Sequence, residues 1–467
     1  MSWLLKRFSS TVTIKPTPSK AHLHGFLPSS LFPTGYLLTG VHAGVKKTTA
    51  LDVGVILSTS ERPTSAAACF TRNAFKAAPV IVSDEILTAN GGRARGIVVN
   101  SGCANAVTGQ QGLKNAWAMV RATDALLPSR SDKPEHETLV MSTGVIGQNL
   151  PINKILDGIS TKASASLGTD FAAWERAAKA FMTTDTFPKL RARKFTIGGV
   201  EYHMAGMDKG AGMIHPDMGP ASTSFAPKTL HATLLGCILT DAPVSPRSLQ
   251  SALTYAVERS FNSISVDGDM STNDTIIALA NGAAAGKEVK EIDEETDNES
   301  YEIFKTELTT FAADLAKLVV RDGEGATKFV TVTVKEANSF ADAHSIASRI
   351  STSALVKTAL YGEDANWGRI LAATGSVPLA PLPNTSTPAV IDPTTVSVTF
   401  IPSDGSTPLP VLVNGEPEIV DEVRAKAILS EEEFDIEVRL GMGDKEATYW
   451  TCDFSYEYVK INGDYRS

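Results

Sequence analysis

The chain has 467 residues, of which 43% are hydrophobic and 20% are charged, a composition typical of globular proteins. This length exceeds what one ordinary core accommodates, so we expect two or three domains. Lysine and arginine number 43 against 52 acidic residues, and the net charge of -9 argues against nucleic acid as a partner. No apolar run approaches the roughly 20 residues that span a bilayer, so we expect no membrane partner.

The N-terminal segment is basic and rich in hydroxyl side chains. Lys6, Arg7, Lys15 and Lys20 lie within it, whereas the first acidic residue is Asp52. Apolar residues between positions 3 and 8 can line one face of a short helix. This pattern is typical of a mitochondrial transit peptide, which we predict over residues 1–25, with the mature protein in the mitochondrial matrix. A cytosolic tail of the same composition is the alternative.

Short apolar runs alternate with polar breaks in the first hundred residues, which predicts strands over 53–57, 66–70, 79–82 and 96–100. Helical periodicity predicts helices over 113–127, 152–167, 170–182, 246–261 and 301–320. A hairpin is predicted over 196–204, buried structure over 229–239 and a strand over 329–334. Because strands and helices mix in both halves, the sequence predicts an α/β (α+β) architecture.

Cysteine and histidine spacing gives no metal or disulfide signal. The cysteines, Cys69, Cys103, Cys237 and Cys452, are far apart and form no CxxC pair. The histidines show no HExxH spacing. We therefore expect buried thiols in a reducing compartment and no metal site.

A lysine within a glycine-rich stretch, residues 209–213, precedes the pair Ala232-Thr233. Cleavage between these two residues would free the α-amine of Thr233 beside its own hydroxyl. Since a free amine is a base that the intact peptide lacks, the cut would create an activated nucleophile. We predict self-cleavage between Ala232 and Thr233, with Thr233 as the catalytic residue. A loop leading into a buried strand or helix is the alternative.

Several further motifs follow one another along the chain. They are Ser142-Thr143-Gly144-Val145-Ile146-Gly147, Met182-Thr183-Thr184-Asp185-Thr186, Val266-Asp267-Gly268-Asp269-Met270-Ser271-Thr272-Asn273-Asp274, Asp322-Gly323-Glu324-Gly325-Ala326-Thr327-Lys328, Gly362-Glu363-Asp364-Ala365-Asn366-Trp367-Gly368-Arg369 and Asn462-Gly463-Asp464-Tyr465-Arg466-Ser467. Together with the 209–218 run and Ala232-Thr233-Leu234-Leu235-Gly236, they resemble the ornithine acetyltransferase (glutamate N-acetyltransferase) family from about residue 25 onward. One departure is the stretch 219–231, interposed where much of that family passes directly to Ala-Thr.

The resemblance implies a self-cleaving fold with a two-layer sheet core sandwiched by helices. It further implies an alpha chain of residues 26–232 and a beta chain of residues 233–467 that stay intertwined. Two copies of each would form a heterotetramer.

The resemblance also assigns roles to matching residues. Thr143 and Gly144 match the family's oxyanion positions, which are catalytic. Each matching position also has an ordinary structural interpretation, as a turn, a helix end or a solvated side chain. The substrate-binding residues that the resemblance implies are Thr184 or Thr186, Lys209, Thr233, Glu324, Asn462 and Ser467.

The implied reaction moves acetyl from N2-acetyl-L-ornithine to L-glutamate through an acetyl-threonine enzyme. Some family members also accept acetyl-CoA as donor and so make N-acetylglutamate. No metal or organic cofactor is required by this chemistry. Two alternatives are a self-cleaving aminopeptidase or amidohydrolase, with water as acceptor, and a processed chain that serves only as a binding or scaffold protein.

Overall fold

The structure is a computed structural model that describes residues 16–129, 134–220, 234–286, 288–381 and 386–463. The strands are β1 (Tyr36–Val41), β2 (Val53–Ser58), β3 (Ser65–Thr71), β4 (Gly96–Cys103), β5 (Thr138–Val145), β6 (Lys189–Ile197), β7 (Val200–Lys209), β8 (Met218–Pro220), β9 (Leu235–Thr240), β10 (Ile264–Ser265), β11 (Thr275–Ala280), β12 (Phe329–Ala337), β13 (Ser397–Pro402), β14 (Leu409–Val413), β15 (Glu416–Pro417), β16 (Glu433–Arg439) and β17 (Lys445–Cys452).

The helices are α1 (Ala78–Ala89), α2 (Gly109–Asp124), α3 (Ile152–Asp157), α4 (Ser164–Ser166), α5 (Phe171–Phe181), α6 (Pro246–Glu258), α7 (Asn298–Arg321), α8 (Phe340–Ser351), α9 (Ala354–Gly362), α10 (Trp367–Thr374), α11 (Glu422–Ser430) and α12 (Tyr456–Gly463). A π-helical turn, Gly158–Ala163, joins α3 to α4. None of the described helices is both long and apolar enough to cross a membrane.

Two sheets share one apolar core. Their strand orders are β1-β2-β4-β5 and β6-β7-β9-β11-β3-β8. In β9, Leu235 and Cys237 belong to the core cluster that includes Val55 and Val99 of the four-stranded sheet. The alternate residue Ile238 belongs instead to the cluster formed with α6 and α7. Since successive strand residues point to opposite faces, helices cover the outer face of this sheet, which confirms the predicted two-layer core with helices outside.

A third sheet, in the order β10-β17-β12-β16-β13-β14-β15, lies in the C-terminal part. Its core combines Val330, Val332 and Val334 of β12 with the buried faces of α8 to α11. The sequence predicted a strand over 329–334, which lies within β12, but not the strands that pair with it.

The strand predicted over 79–82 is wrong, because these residues lie in α1. Pro79 falls in the first turn of this helix, where a missing N–H costs no hydrogen bond and the fixed φ suits the helix. Val80, Ile86 and Leu87 then face the core. An apolar run of four residues does not separate a strand from a buried helical turn.

The six-stranded sheet interleaves strands from before and after residue 233. Strand β9 lies between β7 and β11, and β11 in turn pairs with β3. The backbone on both sides of the predicted cleavage position therefore belongs to one hydrogen-bonded sheet. Residues 16–25 also contact the rest of the chain: Lys20 forms an ion pair with Glu432, and Nε2 of His24 lies 3.0 Å from Glu175. The transit-peptide boundary at residue 25 stays a prediction.

Candidate active site

Thr143 and Gly144, the predicted oxyanion residues, lie near the end of β5, which runs parallel to β4. Thr143 is fully buried. Gly144 has a φ of +123°, and a Cβ atom there would lie 2.4 Å from the carbonyl carbon of Gly102. Only glycine tolerates both conditions, so no side chain obstructs this backbone. Asn273 holds Ser142, the residue before Thr143, because its Nδ2 donates to the carbonyl of Ser142 at 2.7 Å.

Lys209 ends β7 and meets Thr143. Its Nζ donates to Oγ1 of Thr143 at 3.4 Å. Lys209 is 1% exposed. Burial lowers the pKa of Lys209, an effect that the carboxylate of Asp185 partly offsets. In the ladder between β7 and β9, Lys209 is opposite Leu235. The fold therefore brings Lys209 and Thr143 to the beginning of β9.

Ala232 and Thr233 lie outside the described residues, but the residue that follows them is held from both sides. The N–H of Leu234 donates to Oδ1 of Asp274 at 2.8 Å. The carbonyl of Leu234 accepts from the N–H of Thr275 at 3.0 Å. These bonds fix the direction in which the chain enters β9, and Asp274 was not identified from the sequence.

A buried cluster of charged side chains, Lys189, Asp185 and Asp322, lies close to Lys209. Nζ of Lys189 is 2.6 Å from Oδ1 of Asp185 and 2.6 Å from Oδ2 of Asp322, and all three side chains are 0% exposed. Burial alone would lower the pKa of Lys189, but the two carboxylates outweigh it and raise the pKa above its usual range. Burial alone would likewise raise the pKa of Asp185, but Lys189 and Lys209 hold it well below its usual range. Lys189 and Asp185 therefore form an ion pair, whereas at Asp322 burial raises the pKa against the opposing effect of Lys189.

The cluster also holds segments of the site. Oδ1 of Asp185 accepts the N–H of Gly210 at 2.8 Å. Asp322 accepts the N–H of Thr186 at 2.9 Å and also the Thr186 hydroxyl. Thr184, in contrast, lines the cavity beside Gly144. Of the two threonines proposed for substrate, Thr184 is thus the one that faces open space.

Asp208 is a third buried carboxyl beside this cluster. It is opposite Lys189 in the ladder between β6 and β7. Neither of its carboxyl oxygens has a hydrogen-bond partner among the described residues. Burial raises the pKa of Asp208 well above its usual value, and the nearby carboxylate of Asp185 adds to this effect against the opposing effect of Lys189. One lysine thus faces three carboxyls, and Asp208 is the one whose charged form gains no hydrogen bond from the described residues.

Glu324 contacts another predicted substrate residue, Asn462, whose Nδ2 donates to Oε2 of Glu324 at 2.9 Å. The backbone N–H of Glu324 donates to the carbonyl of Ala211 at 2.7 Å. A Cβ atom on Gly212 would lie 2.3 Å from Oε2 of Glu324, so glycine makes room for this carboxylate. Ser467 lies outside the described residues.

A cavity of about 330 Å³ adjoins Gly144 and is lined in part by Lys46, Lys47, Thr183 and Thr184. This volume is in the range of small-molecule sites. A larger cavity of about 450 Å³ lies in the C-terminal part beside α10 and is lined by none of the predicted site residues.

Within the described ranges, no three His, Cys, Asp or Glu side chains are grouped as metal ligands would be. The expectation of a site without metal or cofactor stays a prediction.

Sequence reasoning missed several charged residues around the site. Three of them lie inside or beside motifs that the sequence analysis had already identified, so an acidic residue within such a motif was the available signal. Lys46 and Lys47 carried no comparable signal, because a lysine pair in a loop is ordinarily solvated. The missed residues are Lys46, Lys47, Asp185, Lys189, Asp274 and Asp322.

The model of the ArgJ family matches residues 37–467, and the chain belongs to this family. The mitochondrial arginine biosynthesis bifunctional protein ArgJ of Laccaria bicolor is 76% identical over 470 residues, covering 100% of both chains. The protein of the same name from Coprinopsis cinerea is 76% identical over 473 residues, covering 100% of this chain and 99% of its own.

A crystal structure of the arginine biosynthesis bifunctional protein ArgJ from Bacillus halodurans is 35% identical, with a TM-score of 0.42, and covers 48% of this chain and 96% of its own. The names of the fungal relatives confirm the predicted mitochondrial localisation.

Proposed function

We propose that the chain is the glutamate N-acetyltransferase of arginine biosynthesis, which moves acetyl from N2-acetyl-L-ornithine to L-glutamate. Family membership and the names of the fungal relatives support this reaction. The observation that carries it is the buried contact of Lys209 with Thr143, because Lys209 pairs with Leu235 of β9, two residues after Thr233. An oxyanion donor, a lysine and a nucleophile at a new chain end are the groups that acyl transfer through a threonine ester requires.

The first step is self-cleavage. The hydroxyl oxygen of Thr233 attacks the carbonyl carbon of Ala232, the peptide C–N bond breaks, and the nitrogen takes up a proton. Water then hydrolyses the resulting ester, which leaves a carboxylate on Ala232 and a free amine on Thr233. Support comes from the anchoring of Leu234 by Asp274 and Thr275, which holds the chain on one side of this bond.

The cleavage products are an alpha chain ending at residue 232 and a beta chain starting at residue 233. Strands β7 and β9 hydrogen-bond across this division, as do β3 and β11. Because the two products share a sheet, we propose that they remain associated after cleavage. Two alpha and two beta chains form the heterotetramer that the family resemblance implies.

The second step is acetyl transfer. The amine of Thr233 accepts the hydroxyl proton, the oxygen attacks the acetyl carbonyl, and the proton passes to the departing nitrogen of ornithine. The amine of glutamate then attacks the acetyl-threonine ester, and the proton returns to the threonine oxygen. Thr143 and the backbone N–H of Gly144 stabilise the oxyanion in both halves, and the cation of Lys209 favours the same negative charge.

Substrate recognition uses opposite charges. The carboxylate of Glu324, held by Asn462, suits the side-chain ammonium of ornithine. We propose Thr184, Lys209 and Ser467 as further ligands of the substrate, and Thr186 as a residue held in place by Asp322. Acetyl-CoA serves as a second acetyl donor, in keeping with the bifunctional designation of the relatives, and the chemistry needs no metal or organic cofactor.

Thr233→Ala tests the proposal. Denaturing electrophoresis should show two bands of similar size for the unsubstituted protein, and N-terminal sequencing of one band should read Thr-Leu-Leu-Gly. The variant should stay uncut and form no N-acetylglutamate, since it lacks the attacking oxygen.

Thr229→Ala is the matched control, which removes a nearby hydroxyl and should be cut and active. Two bands from Thr233→Ala would place the cleavage chemistry elsewhere. Release of acetate at the same rate with and without glutamate would instead identify a hydrolase.

A further inference from the structure

The loop between β1 and β2 is organised by one buried carboxylate. Asp52 is fully buried. It accepts the backbone N–H groups of Ala43 at 2.6 Å, Gly44 at 3.0 Å, Val45 at 2.8 Å and Lys46 at 3.1 Å. Four amide donors on one carboxylate hold the backbone in a single conformation, so the direction of the Lys46 side chain is set by the fold.

Lys46 enters the cavity beside the oxyanion glycine. A Cβ atom on Gly102 would lie 3.1 Å from Cγ of Lys46, and one on Gly144 would lie 2.4 Å from the carbonyl carbon of Gly102. The lysine stem, Gly102 and Gly144 are therefore stacked in contact. Among the described residues, Nζ donates one hydrogen bond, to the carbonyl of Leu51 at 2.7 Å. An ammonium carries three N–H donors, so two remain for a ligand.

The cavity has the chemistry of an anion site. Its described lining includes the cations of Lys46 and Lys47 and the hydroxyls of Thr48, Thr183 and Thr184, and no carboxylate. Burial lowers the pKa of Lys46 to about 8, and the positive charge of Lys209 acts in the same direction against the carboxylates of Asp52 and Asp185. A bound anion would relieve this desolvated cation.

We propose that Lys46 binds the α-carboxylate of the amino-acid substrates and makes the enzyme specific for a free carboxylate. This inference rests on the proposed function. In an N-acetylated amino acid only the nitrogen and the α-carbon separate the reacting carbonyl from the carboxylate. An anion bound beside the oxyanion glycine therefore matches that carboxylate, whereas the phosphates of acetyl-CoA lie a whole pantetheine arm away from the thioester.

The test compares acids with their primary amides, which have nearly the same shape but no charge. Calorimetry measures the binding of L-ornithine and L-ornithinamide, and kinetics compares N2-acetyl-L-ornithine with its amide. The unsubstituted protein should favour the acid by about tenfold to a hundredfold, as expected for a hydrogen-bonded charge pair. Lys46→Met should reduce this preference to about threefold or less, and Lys46→Arg should keep most of it.

Lys114→Met is the control, because Lys114 is exposed on α2 and does not line this cavity, and it should leave the preference unchanged. If Lys46→Met weakens the binding of the acid and of the amide equally, Lys46 only supports the loop, and this result would overturn the inference. If the unsubstituted protein transfers no acetyl yet prefers ornithine over its amide through Lys46, the carboxylate subsite stands and the proposed function falls.

Discussion

Lys189→Met probes the buried charges that support the site without touching a proposed catalytic group. Nζ of Lys189 lies 2.6 Å from both Asp185 and Asp322, with all three side chains 0% exposed. Methionine keeps an unbranched apolar stem but removes the ammonium. The variant leaves two carboxylates facing each other beside Asp208, with no counter-charge from Lys189.

Removing one partner of a buried ion pair costs about 3–5 kcal/mol, so we expect the free energy of unfolding at pH 8 to fall by this amount. The loss should depend on pH. With Lys189 present, the pKa of Asp185 is depressed, so its contribution is present above about pH 4 and is lost only as the pH falls below that value.

Burial already raises the pKa of Asp322 against the opposing effect of Lys189. Without Lys189, that opposition is lost at Asp322 and only partly replaced by Lys209 at Asp185, so the pKa of both carboxyls moves upward. A group whose folded pKa is raised destabilises the fold as the pH rises through that value. The penalty of Lys189→Met should therefore be smaller at pH 5 than at pH 8.

Urea unfolding, followed by circular dichroism at pH 5 and pH 8, measures this difference. The uncut Thr233→Ala background keeps the alpha and beta halves covalently joined during unfolding. Lys194→Met is the control on the same strand, because Lys194 pairs with Glu201 at 2.9 Å where both side chains are at least half exposed. That pair should contribute less than about 1 kcal/mol. Equal losses from both variants, or a loss from Lys189→Met that is the same at both pH values, would refute the reasoning.

Two further changes test individual positions. Gly212→Ala should displace the Glu324 carboxylate, since the new Cβ would lie 2.3 Å from Oε2 at the end of a rotatable side chain. The KM for N2-acetylornithine should rise about tenfold with little change in Tm, and an unchanged KM would contradict the role of Glu324. Asp208→Ala should stabilise the protein by about 1 kcal/mol, because a buried carboxyl without a partner is removed. The gain should be larger at pH 9 than at pH 6, since the raised pKa makes ionisation oppose folding; a lower Tm in thermal unfolding at both pH values would contradict this.

Long periodic patterns were enough to predict much of the fold. The helix predicted over 301–320 is α7, and the strand predicted over 329–334 begins where β12 begins. Short runs were not enough, because four apolar residues at 79–82 fit a strand as well as the first turn of α1. The seven-stranded sheet was not predicted as a whole, since pairing partners far apart in sequence leave no local pattern.

The candidate site shows the same limit. Thr143 and Lys209 are 66 positions apart, and motif resemblance rather than spacing grouped them before the structure placed them in contact. Lys189 has the sequence context of an ordinary lysine opening a hairpin, and its bond to Asp322 spans 133 positions. Lys46 depends on a loop conformation that Asp52 creates. Tertiary placement, not residue type, gives these side chains their roles.

The position of β9 between β7 and β11 has a consequence for the order of folding and cleavage. In the uncut precursor of the proposed cleavage, the peptide bond after Ala232 joins the two halves and keeps the effective concentration of β9 beside β7 and β11 high. We therefore expect the proposed cleavage to follow folding. A cleaved molecule that is later denatured would lack this covalent link, so its refolding would require two separate chains to associate. The lifetime of the cleaved protein would then depend on its rate of unfolding rather than on its ability to refold.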